Sequence, residues 1–560
     1  MQTAGKKWWQ ERVVYQIYPR SFQDSPAPDG GPGDGIGDIP GIISRLDDIK
    51  ALGAGIIWLS PVYLSPDADN GYDIADYRSI DPRYGTLADM DRLIAEAEKR
   101  DIKIIMDLVI NHTSDEHEWF QKSRDRDGGY RDYYIWKPPK GRGARGSKGD
   151  LPNNWMSFFM EDAWTFDEKS GEYYLHLFHK KQPDLNYRNP KVIEEVKAIL
   201  RFWLDRGIAG FRCDVINVLY KSSFADGRKG PLPGIEFYLC QEGNHEILRE
   251  LRRDVLDKYD CFTVGETVMV DVEKAKLLCD ESRKELDMLF YFEHLQVDRL
   301  IERYIPKKFR PGKLLKVLSK WQRGLEWNAV YLENHDQCRI VSHYGDGGGA
   351  YWEASAKLLA VLELTMRGTP FIYQGQEIGM TNFDFKGFGE VNDVETLNWN
   401  RLLKRFHIPA RLRWKWLKES SRDNARTPVQ WSAEPNAGFT TGKPWLGING
   451  NYTKINYASQ RGDDNSVLAF YKKMIGLRAE NDVLKYGEFR PLGARGSVIA
   501  WQRVLGDEAW TVLLNFSPRA ARAGSLLPTC GSVVVSNTSR TAITETLLPY
   551  EAVVLKSITQ

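Results

Sequence analysis

Three acidic residues in the sequence stand where short apolar runs end. They are Asp214 in GFRCDVINVLY, Glu266 in VGET and Asp336 in ENHDQCR. One carboxylate can attack an anomeric carbon, a second with a raised pKa can protonate the leaving oxygen, and a third can stabilise an oxocarbenium-like transition state. Alone, each would more often be a helix cap or loop anchor. Together they predict hydrolysis of a glycosidic bond.

Arg212 lies two positions before Asp214 in the same apolar run. In an extended strand the two side chains point to the same side. A buried charge is costly unless it is paired or has a chemical task. The pair is therefore either an ion pair that serves the fold alone or a cation set beside a working carboxylate.

The sequence lacks the motifs expected of several other kinds of catalytic or metal site. The six cysteines have no C-x-x-C spacing, which argues against a zinc site or a disulfide framework and predicts free thiols. A metal hydrolase would need a histidine-rich ligand set. Neither a G-x-x-x-x-G-K-[ST] phosphate loop nor a G-x-S-x-G nucleophile elbow is present.

The acids must be positioned by a larger framework, and the sequence indicates a barrel. Eight apolar runs rich in strand-forming residues alternate with stretches of helical spacing, which predicts an α/β fold of the (β/α)8 TIM-barrel type. In such a barrel the catalytic groups lie at the carboxyl ends of strands. The eight runs are 13–18, 55–59, 102–110, 207–215, 261–266, 288–292, 329–333 and 371–374.

Two segments depart from the alternation. Residues 108–185, rich in Gly, Lys, Trp and Tyr, are too long for a barrel loop and predict an inserted subdomain after strand 3. Residues 485–560 change to short strands with turn signals, which predicts a C-terminal antiparallel β-sandwich. The barrel itself is then expected at 1–107 and 186–484.

Charge and composition limit the partners. The 77 basic and 76 acidic residues nearly cancel, so we expect a small-molecule sugar substrate and neither nucleic acid nor membrane as partner. The N-terminus lacks the apolar core of a signal peptide, and a cytoplasmic location is the default expectation. We expect no organic cofactor and a monomer or weak homodimer.

Five motifs together resemble those of glycoside hydrolase family 13, the α-amylase family, and most closely its oligo-1,6-glucosidase and α-glucosidase branch. They are DLVINHTSDEH, QPDLNYRNP, GFRCDVIN, VGET and ENHDQCR, in the family's order, and the similarity spans nearly the whole chain. The resemblance implies a barrel, an inserted domain, a C-terminal β-domain and exo-acting, retaining hydrolysis of α-glucosides. Retention implies reacting carboxyls about 5–5.5 Å apart.

The resemblance also implies residue roles. Asp214 corresponds to the nucleophile, Glu266 to the general acid/base and Asp336 to the third carboxylate. The other predicted sugar-binding residues are His112 and His335 at the cleaved glucose, Arg212 beside the nucleophile, Asp69 and Arg426 pairing across the non-reducing glucose at the closed end, Tyr72 as a stacking platform, and Phe178 and Gln182 as walls.

Two further features concern specificity and metal. Val215, directly after Asp214, favours α-1,6 linkages in this family. The loop DSPAPDGGPGDGIGD at 24–38 resembles a Ca²⁺ or Mg²⁺ loop, with Asp24, Asp34, the Ile36 carbonyl and Asp38 as candidate ligands of a structural ion. The alternative is a loop that turns on Asx contacts without metal.

Alternatives remain open for the function. The same glucosyl-enzyme intermediate could serve a sucrose-active isomerase or transglucosidase, although no R-L-D-R-D run typical of sucrose isomerases is present. An α-1,4-preferring α-glucosidase and a non-catalytic relative are the others. Cys338 departs from the family's H-D-Q-x-R motif, in which proline is usual at this position.

Overall fold

The computed structural model of the 560-residue chain describes residues 6–27, 29–141, 149–300, 304–542 and 544–558. Eight of its strands form one parallel sheet. The strands are β1 (Val14–Ile17), β2 (Ile56–Leu59), β3 (Lys103–Leu108), β4 (Gly210–Cys213), β5 (Phe262–Glu266), β6 (Met288–Phe290), β7 (Ala329–Tyr331) and β8 (Thr369–Tyr373).

The strand order is that of a closed (β/α)8 barrel. The sheet runs β6-β5-β4-β3-β2-β1-β8-β7, so β1 pairs with β8 and the two end strands, β6 and β7, are consecutive in the chain. All the pairings are parallel, and nearly every strand residue is buried, as expected of a sheet covered by helices. The predicted barrel and its eight strands are confirmed.

Amphipathic helices surround these strands. The helix Pro190–Leu204 is an example: the Asn189 side chain caps its first turn, Pro190 occupies the first helical position, and Val196 and Trp203 lie on its buried face. The described α-helices are Ile39–Ser44, Leu46–Leu52, Leu87–Glu98, Glu118–Asp125, Pro190–Leu204, Glu242–Asp254, Val272–Cys279, Pro311–Gly324, Ile340–His343, Trp352–Leu364, Val394–Arg405, Ala410–Lys418, Asp423–Arg426, Tyr457–Arg461, Val467–Glu480 and Asp482–Tyr486.

Between β3 and β4 the chain forms a small antiparallel sheet of its own. Its strands are Trp136–Lys137, Glu172–Leu175 and Trp164–Asp167 in spatial order. Trp155 and Tyr238 belong to a separate apolar cluster, which also contains Val215 at the carboxyl end of β4. This segment therefore packs directly over the end of the barrel that carries Asp214. A two-stranded ribbon, Tyr63–Leu64 with Asp76–Ile80, lies between β2 and β3 in the sequence.

The C-terminal region is antiparallel. Its main sheet has the order Glu488–Arg495, Val498–Leu505, Glu508–Asn515, Ala552–Ile558 and Ser532–Ser536, and a second ribbon pairs Ala521–Arg522 with Thr546–Leu547. The two layers enclose an apolar core that includes Leu513, Leu547 and Val553. None of the described helices is both long enough and apolar enough to cross a bilayer.

Two buried arginines, Arg478 and Arg503, lie where the barrel meets this region. Arg503 donates hydrogen bonds to the carbonyls of Thr365, Leu484 and Gly487 at 2.6–2.7 Å. Arg478 donates to backbone carbonyls on both sides of Arg367. Each guanidinium thus satisfies several carbonyls that would otherwise be buried without donors.

Candidate active site

The three predicted carboxylates lie at the carboxyl ends of barrel strands. Asp214 follows β4 directly, Glu266 is the last residue of β5, and Asp336 lies in the loop after β7. A fourth carboxylate, Asp107 in β3, is completely buried beside them. Because the strands are parallel, their carboxyl ends meet at one end of the barrel and bring the four acids together.

A single arginine connects three of these acids. Arg212 is fully buried in β4, and its Nη1 donates to Oδ1 of Asp214 at 2.7 Å. The same nitrogen contacts Asp107, and Nη2 contacts Glu266. Trp58 Nε1 donates to the other oxygen of Asp107 at 2.9 Å, so that carboxylate is held from two sides. The charges that the sequence placed in an apolar strand are therefore paired.

The environment of Asp214 raises its affinity for a proton. Burial raises the pKa of this carboxyl to about 7, and the charges of Asp107 and Asp336 act in the same direction. Arg212 opposes this shift but does not cancel it, since the same cation also serves the other acids. Near neutral pH the ionised form of Asp214 is the one available to act as a nucleophile.

His335 is a neutral, fixed side chain behind the acids. Gln16 Nε2 lies 2.8 Å from Nδ1 and the Tyr72 hydroxyl 2.7 Å from Nε2, while the Tyr72 ring stacks on the imidazole at 5.3 Å. If Gln16 donates, as this network indicates, Nε2 carries the proton. This nitrogen, His335 Nε2, lies 3.2 Å from Oδ2 of Asp336. Burial lowers the pKa of His335 to about 3, which keeps the ring neutral.

His112 is held in a similar way at the opposite side of Tyr72. Its Nε2 lies 3.1 Å from the Tyr72 carbonyl and 3.1 Å from Nε2 of Gln182. Burial lowers the pKa of this ring to about 3 as well. The ring of Phe178 lies 5.2 Å from the imidazole and 5.2 Å from Phe158, so these residues form one continuous wall.

Two arginines lie near Asp69 and Asp336, at the end of the site where the non-reducing glucose is predicted to bind. Asp69 accepts a hydrogen bond from Gln182 at 3.2 Å, and the arginine within ion-pair distance of it is Arg422, with Nη2 3.7 Å from Oδ1. Arg426 instead donates to Oδ1 of Asp336 at 2.6 Å and to the His335 carbonyl at 3.0 Å. Among the described residues Arg426 therefore lies against Asp336, and Arg422 is the arginine near Asp69; the pairing of Asp69 and Arg426 across a bound glucose stays a prediction.

Arg422 was missed by sequence reasoning. It donates from Nε to Asp393 at 2.7 Å and from Nη1 to Asp336 at 3.3 Å, whereas Nη2 is buried without a hydrogen-bond partner among the described residues. Burial raises the pKa of Asp69 to about 7 although Arg422 opposes the shift. The motif SRDNAR holds two arginines four positions apart, one helical turn, and this spacing was the signal for a second cation.

These groups border a cavity of about 570 Å³, within the range of small-molecule sites. Of the predicted residues, nine line it: Asp69, Tyr72, His112, Phe178, Gln182, Asp214, Val215, Glu266 and Asp336. Arg212, His335 and Arg426 are buried behind the lining and act on it through their hydrogen bonds. Lining residues not predicted from the sequence include Phe158, Phe159, Met269, Glu293, Lys320, Glu395 and Arg422.

Val215 occupies an unusual backbone conformation at the cavity wall. Its φ is 36°, in the left-handed region that β-branched residues rarely adopt, and only 4% of its surface is exposed. The turn places the Val215 side chain in the cluster under the inserted segment and against the cavity. The residue is therefore held by packing from both sides, despite the backbone strain.

The predicted metal loop is held by hydrogen bonds within the protein. Asp24 accepts from the Gly35 N–H at 2.9 Å and from Thr440, Asp34 accepts from the Ile36 N–H at 2.8 Å, and Asp38 caps the next helix through the Gly41 N–H at 2.6 Å. Residue 28 of the loop lies outside the described residues. Within the described ranges no three His, Cys, Asp or Glu side chains are grouped to hold an ion. These contacts fit an Asx-turned loop, and the ion stays a prediction.

A parallel eight-stranded barrel with carboxylates gathered at its strand ends beside a sugar-sized cavity is the arrangement expected of a glycoside hydrolase. A family profile described as "Alpha amylase, catalytic domain" matches residues 16–487. The chain therefore belongs to the alpha-amylase family, glycoside hydrolase family 13, as the sequence motifs predicted.

Three similar proteins illustrate the range of activities in this neighbourhood. An oligo-1,6-glucosidase of Parageobacillus thermoglucosidasius is 48% identical, with 91% of each chain covered. A trehalose-6-phosphate hydrolase of Bacillus subtilis is 42% identical, with 99% of each chain covered. The crystal structure of an isomaltulose synthase of Erwinia rhapontici superposes with a TM-score of 0.93 at 40% identity and full coverage of both chains.

Proposed function

We propose that this protein is an exo-acting, retaining α-glucosidase that hydrolyses α-1,6-linked, isomaltose-type glucosides and small oligosaccharides from the non-reducing end. The observation that carries the proposal is the contact of Asp214 and Glu266, which both line the cavity, with one buried guanidinium. Two observations support the α-1,6 linkage. The chain is 48% identical to an oligo-1,6-glucosidase over 525 residues, and Val215 directly follows the nucleophile.

In the first half of the reaction Asp214 attacks the anomeric carbon while Glu266 protonates the leaving oxygen. Arg212 stabilises the ionised form of Asp214, and the neutral His335 lets its ring N–H donate a hydrogen bond without adding a charge that would neutralise Asp336. Asp336 is placed to accept hydrogen bonds from sugar hydroxyls and to stabilise the positive charge that develops on the ring.

In the second half Glu266 acts as a base towards water. Once Asp214 is esterified it carries no charge, so the repulsion that raises the pKa of a neighbouring carboxyl disappears. Glu266, which has given its proton to the leaving oxygen, therefore stays ionised and accepts a proton from the attacking water. The sugar leaves with the configuration it had in the substrate.

The closed end supports exo action. Asp69, Gln182 and Arg422 lie together in the cavity lining and offer the terminal glucose an acceptor, an amide and a guanidinium N–H that has no hydrogen-bond partner among the described residues. The structural likeness to an isomaltulose synthase favours glucosyl transfer as the second candidate, with the same intermediate passed to a sugar acceptor.

Product analysis tests the proposal and separates the two candidates. Initial rates on isomaltose, isomaltotriose, maltose and sucrose would be measured, with the anomer of the released glucose followed by NMR. We expect fastest cleavage of isomaltose and first release of α-glucose. Release of β-glucose would contradict retention, and accumulation of new disaccharides from sucrose with little free glucose would favour transfer.

We propose further that the protein works in the cytoplasm as a monomer or weak homodimer without an organic cofactor. The near balance of basic and acidic residues and the sugar-sized cavity support a small neutral substrate. Sedimentation of the purified protein over a range of concentrations tests the oligomeric state.

A further inference from the structure

The outer part of the cavity is built around Glu293, a residue with no role in the chemistry described above. Glu293 begins a short helix after β6, and its Oε2 accepts hydrogen bonds from Trp321 Nε1 at 2.9 Å and from Lys320 Nζ at 2.7 Å. Trp321 is fully buried and stacks on Tyr291 at 4.0 Å. The carboxylate is therefore held in a fixed place at the cavity wall although it is 43% exposed.

The cavity lining is strongly acidic. Seven carboxylates border it, against two basic side chains, Lys320 and Arg422. The acidic set is Asp69, Asp214, Glu266, Asp271, Glu293, Asp336 and Glu395. His112 adds no positive charge, because burial lowers its pKa to about 3.

Both basic side chains already have acidic partners. Lys320 contacts Glu293, and Arg422 contacts Asp393 and Asp336. A hydrogen bond from the Lys274 N–H lowers the pKa of Asp271, another lining carboxyl, which favours its ionised form. Arg401, on the helix that also carries the lining residue Glu395, lies 3.9 Å from Glu161.

This charge pattern bears on which sugars can enter. A phosphate ester adds a charge of about −1.5 to −2 near neutral pH. Placed beside fixed carboxylates, and with both basic side chains of the described lining already in contact with acids, it would meet repulsion and lose hydration without compensation. Hydroxyl groups of a neutral sugar, in contrast, can donate hydrogen bonds to the same carboxylates.

We infer that Glu293 is a specificity-determining residue that restricts this enzyme to neutral glucosides and excludes substrates with a phosphorylated leaving group. This inference rests on the proposed function and names its substrate class. It separates the chain from relatives such as the trehalose-6-phosphate hydrolase, to which it is 42% identical over its whole length.

The test compares isomaltose with isomaltose that carries phosphate on O1 of the reducing glucose, and adds trehalose 6-phosphate as a second anionic probe. In the wild type we expect kcat/KM for the phosphorylated isomaltose to be lower than for isomaltose by about tenfold or more, mainly through KM. Added salt should narrow this difference because it screens exposed charges. Trehalose 6-phosphate should be cleaved no faster.

Glu293→Gln keeps a side-chain oxygen for Trp321 and removes the charge. It should raise the ratio of kcat/KM for phosphorylated over neutral isomaltose by about fivefold or more, and reduce the salt dependence of that ratio. The control Glu273→Gln changes an exposed glutamate that pairs with Lys276 outside the cavity, and should leave the ratio unchanged.

Equal or faster cleavage of the phosphorylated disaccharide by the wild type would overturn the inference, and so would an unchanged ratio in Glu293→Gln. Failure to cleave isomaltose at all would instead overturn the proposed function. Inhibition of 4-nitrophenyl α-glucoside hydrolysis by each sugar would then compare the affinity of the protein for isomaltose with its affinity for phosphorylated isomaltose. Tighter binding of the phosphorylated form would overturn the inference in that case too.

Discussion

Arg212 Nη1 lies 2.7 Å from Oδ1 of Asp214 in the interior of the barrel, two positions apart on one strand. The same guanidinium contacts Asp107 and Glu266. Its single charge is thus shared by three acids, which explains why burial still raises the pKa of Asp214 to about 7 with an arginine beside it. β4 therefore leads into a carboxyl group that changes between its protonated and ionised forms near neutral pH.

The pH dependence of kcat/KM should show this balance. Asp214 must be ionised to attack, so activity should fall as pH drops through an apparent pKa of about 7, which belongs to the coupled group of acids. The effect of pH on stability runs the other way. Asp214 binds its proton more tightly in the folded protein than in the unfolded chain, so its contribution to the free energy of unfolding increases as pH falls from about 7 towards 3.8. A rate that stays level down to pH 5 would contradict this assignment.

Arg212→Lys should lower kcat/KM by about 100-fold or more, because one ammonium cannot bridge Asp107, Asp214 and Glu266 as a planar fork does. The acid limb of the pH profile should also move to higher pH. Arg206→Lys, on a surface pair with Asp91, is the matched control and should match the wild type. An unchanged acid limb would show that Arg212 serves the fold alone.

Asp69→Asn and Arg422→Met should each raise KM about tenfold for substrates with a free non-reducing glucose, since both side chains face the same end of the cavity. The double variant should lose less than the two single effects combined, because the two groups act as a unit. A double-mutant cycle on kcat/KM measures this. Fully additive losses would mean that Arg422 does not act with Asp69.

Val215→Thr should reduce the preference for isomaltose over maltose by about tenfold, the scale expected for one methyl-sized contact. The hydroxyl keeps the shape of the side chain but changes the polarity of the wall. The rate on 4-nitrophenyl α-glucoside, which has no second sugar, serves as the internal control. A preference that does not change would remove Val215 from the determinants of linkage.

Arg503→Met should reduce the free energy of unfolding by about 3 kcal/mol or more, because the carbonyls of Thr365 and Gly487 lose the buried donor that Arg503 supplies, and Leu484 keeps only the bond from Arg478. The shift is measured by denaturant unfolding. Arg490→Met, at an exposed pair with Glu488, is the control and should change stability by less than about 1 kcal/mol. Equal effects in the two variants would contradict the role of Arg503 at the junction.

The strands and their charged ends could be predicted because they depend on local pattern. Continuous apolar runs mark strands buried on both faces, and a carboxylate at the end of such a run must point to one end of a parallel barrel. Arg212 was predictable for the same reason, since two charges two residues apart on a strand share a side.

Contacts between distant loops could not be derived in this way. Which of Arg422 and Arg426 lies near Asp69 depends on how the helix Asp423–Arg426 is turned against the loop after β7. Sequence spacing does not encode that rotation. Glu293 was missed because its place depends on Trp321 and Lys320, from a helix that lies more than 25 residues further along the chain. The strained backbone of Val215 likewise follows from packing on both sides.

The central claim is that Asp214 forms a covalent glucosyl-enzyme. The most direct measurement is to treat the enzyme with a fluorinated glucosyl fluoride that forms the intermediate faster than water removes it, and to locate the label by mass spectrometry of peptides. We expect one label per chain, on Asp214, and none in Asp214→Asn. A label on Glu266 or Asp336, or rapid turnover by Asp214→Asn, would contradict the account.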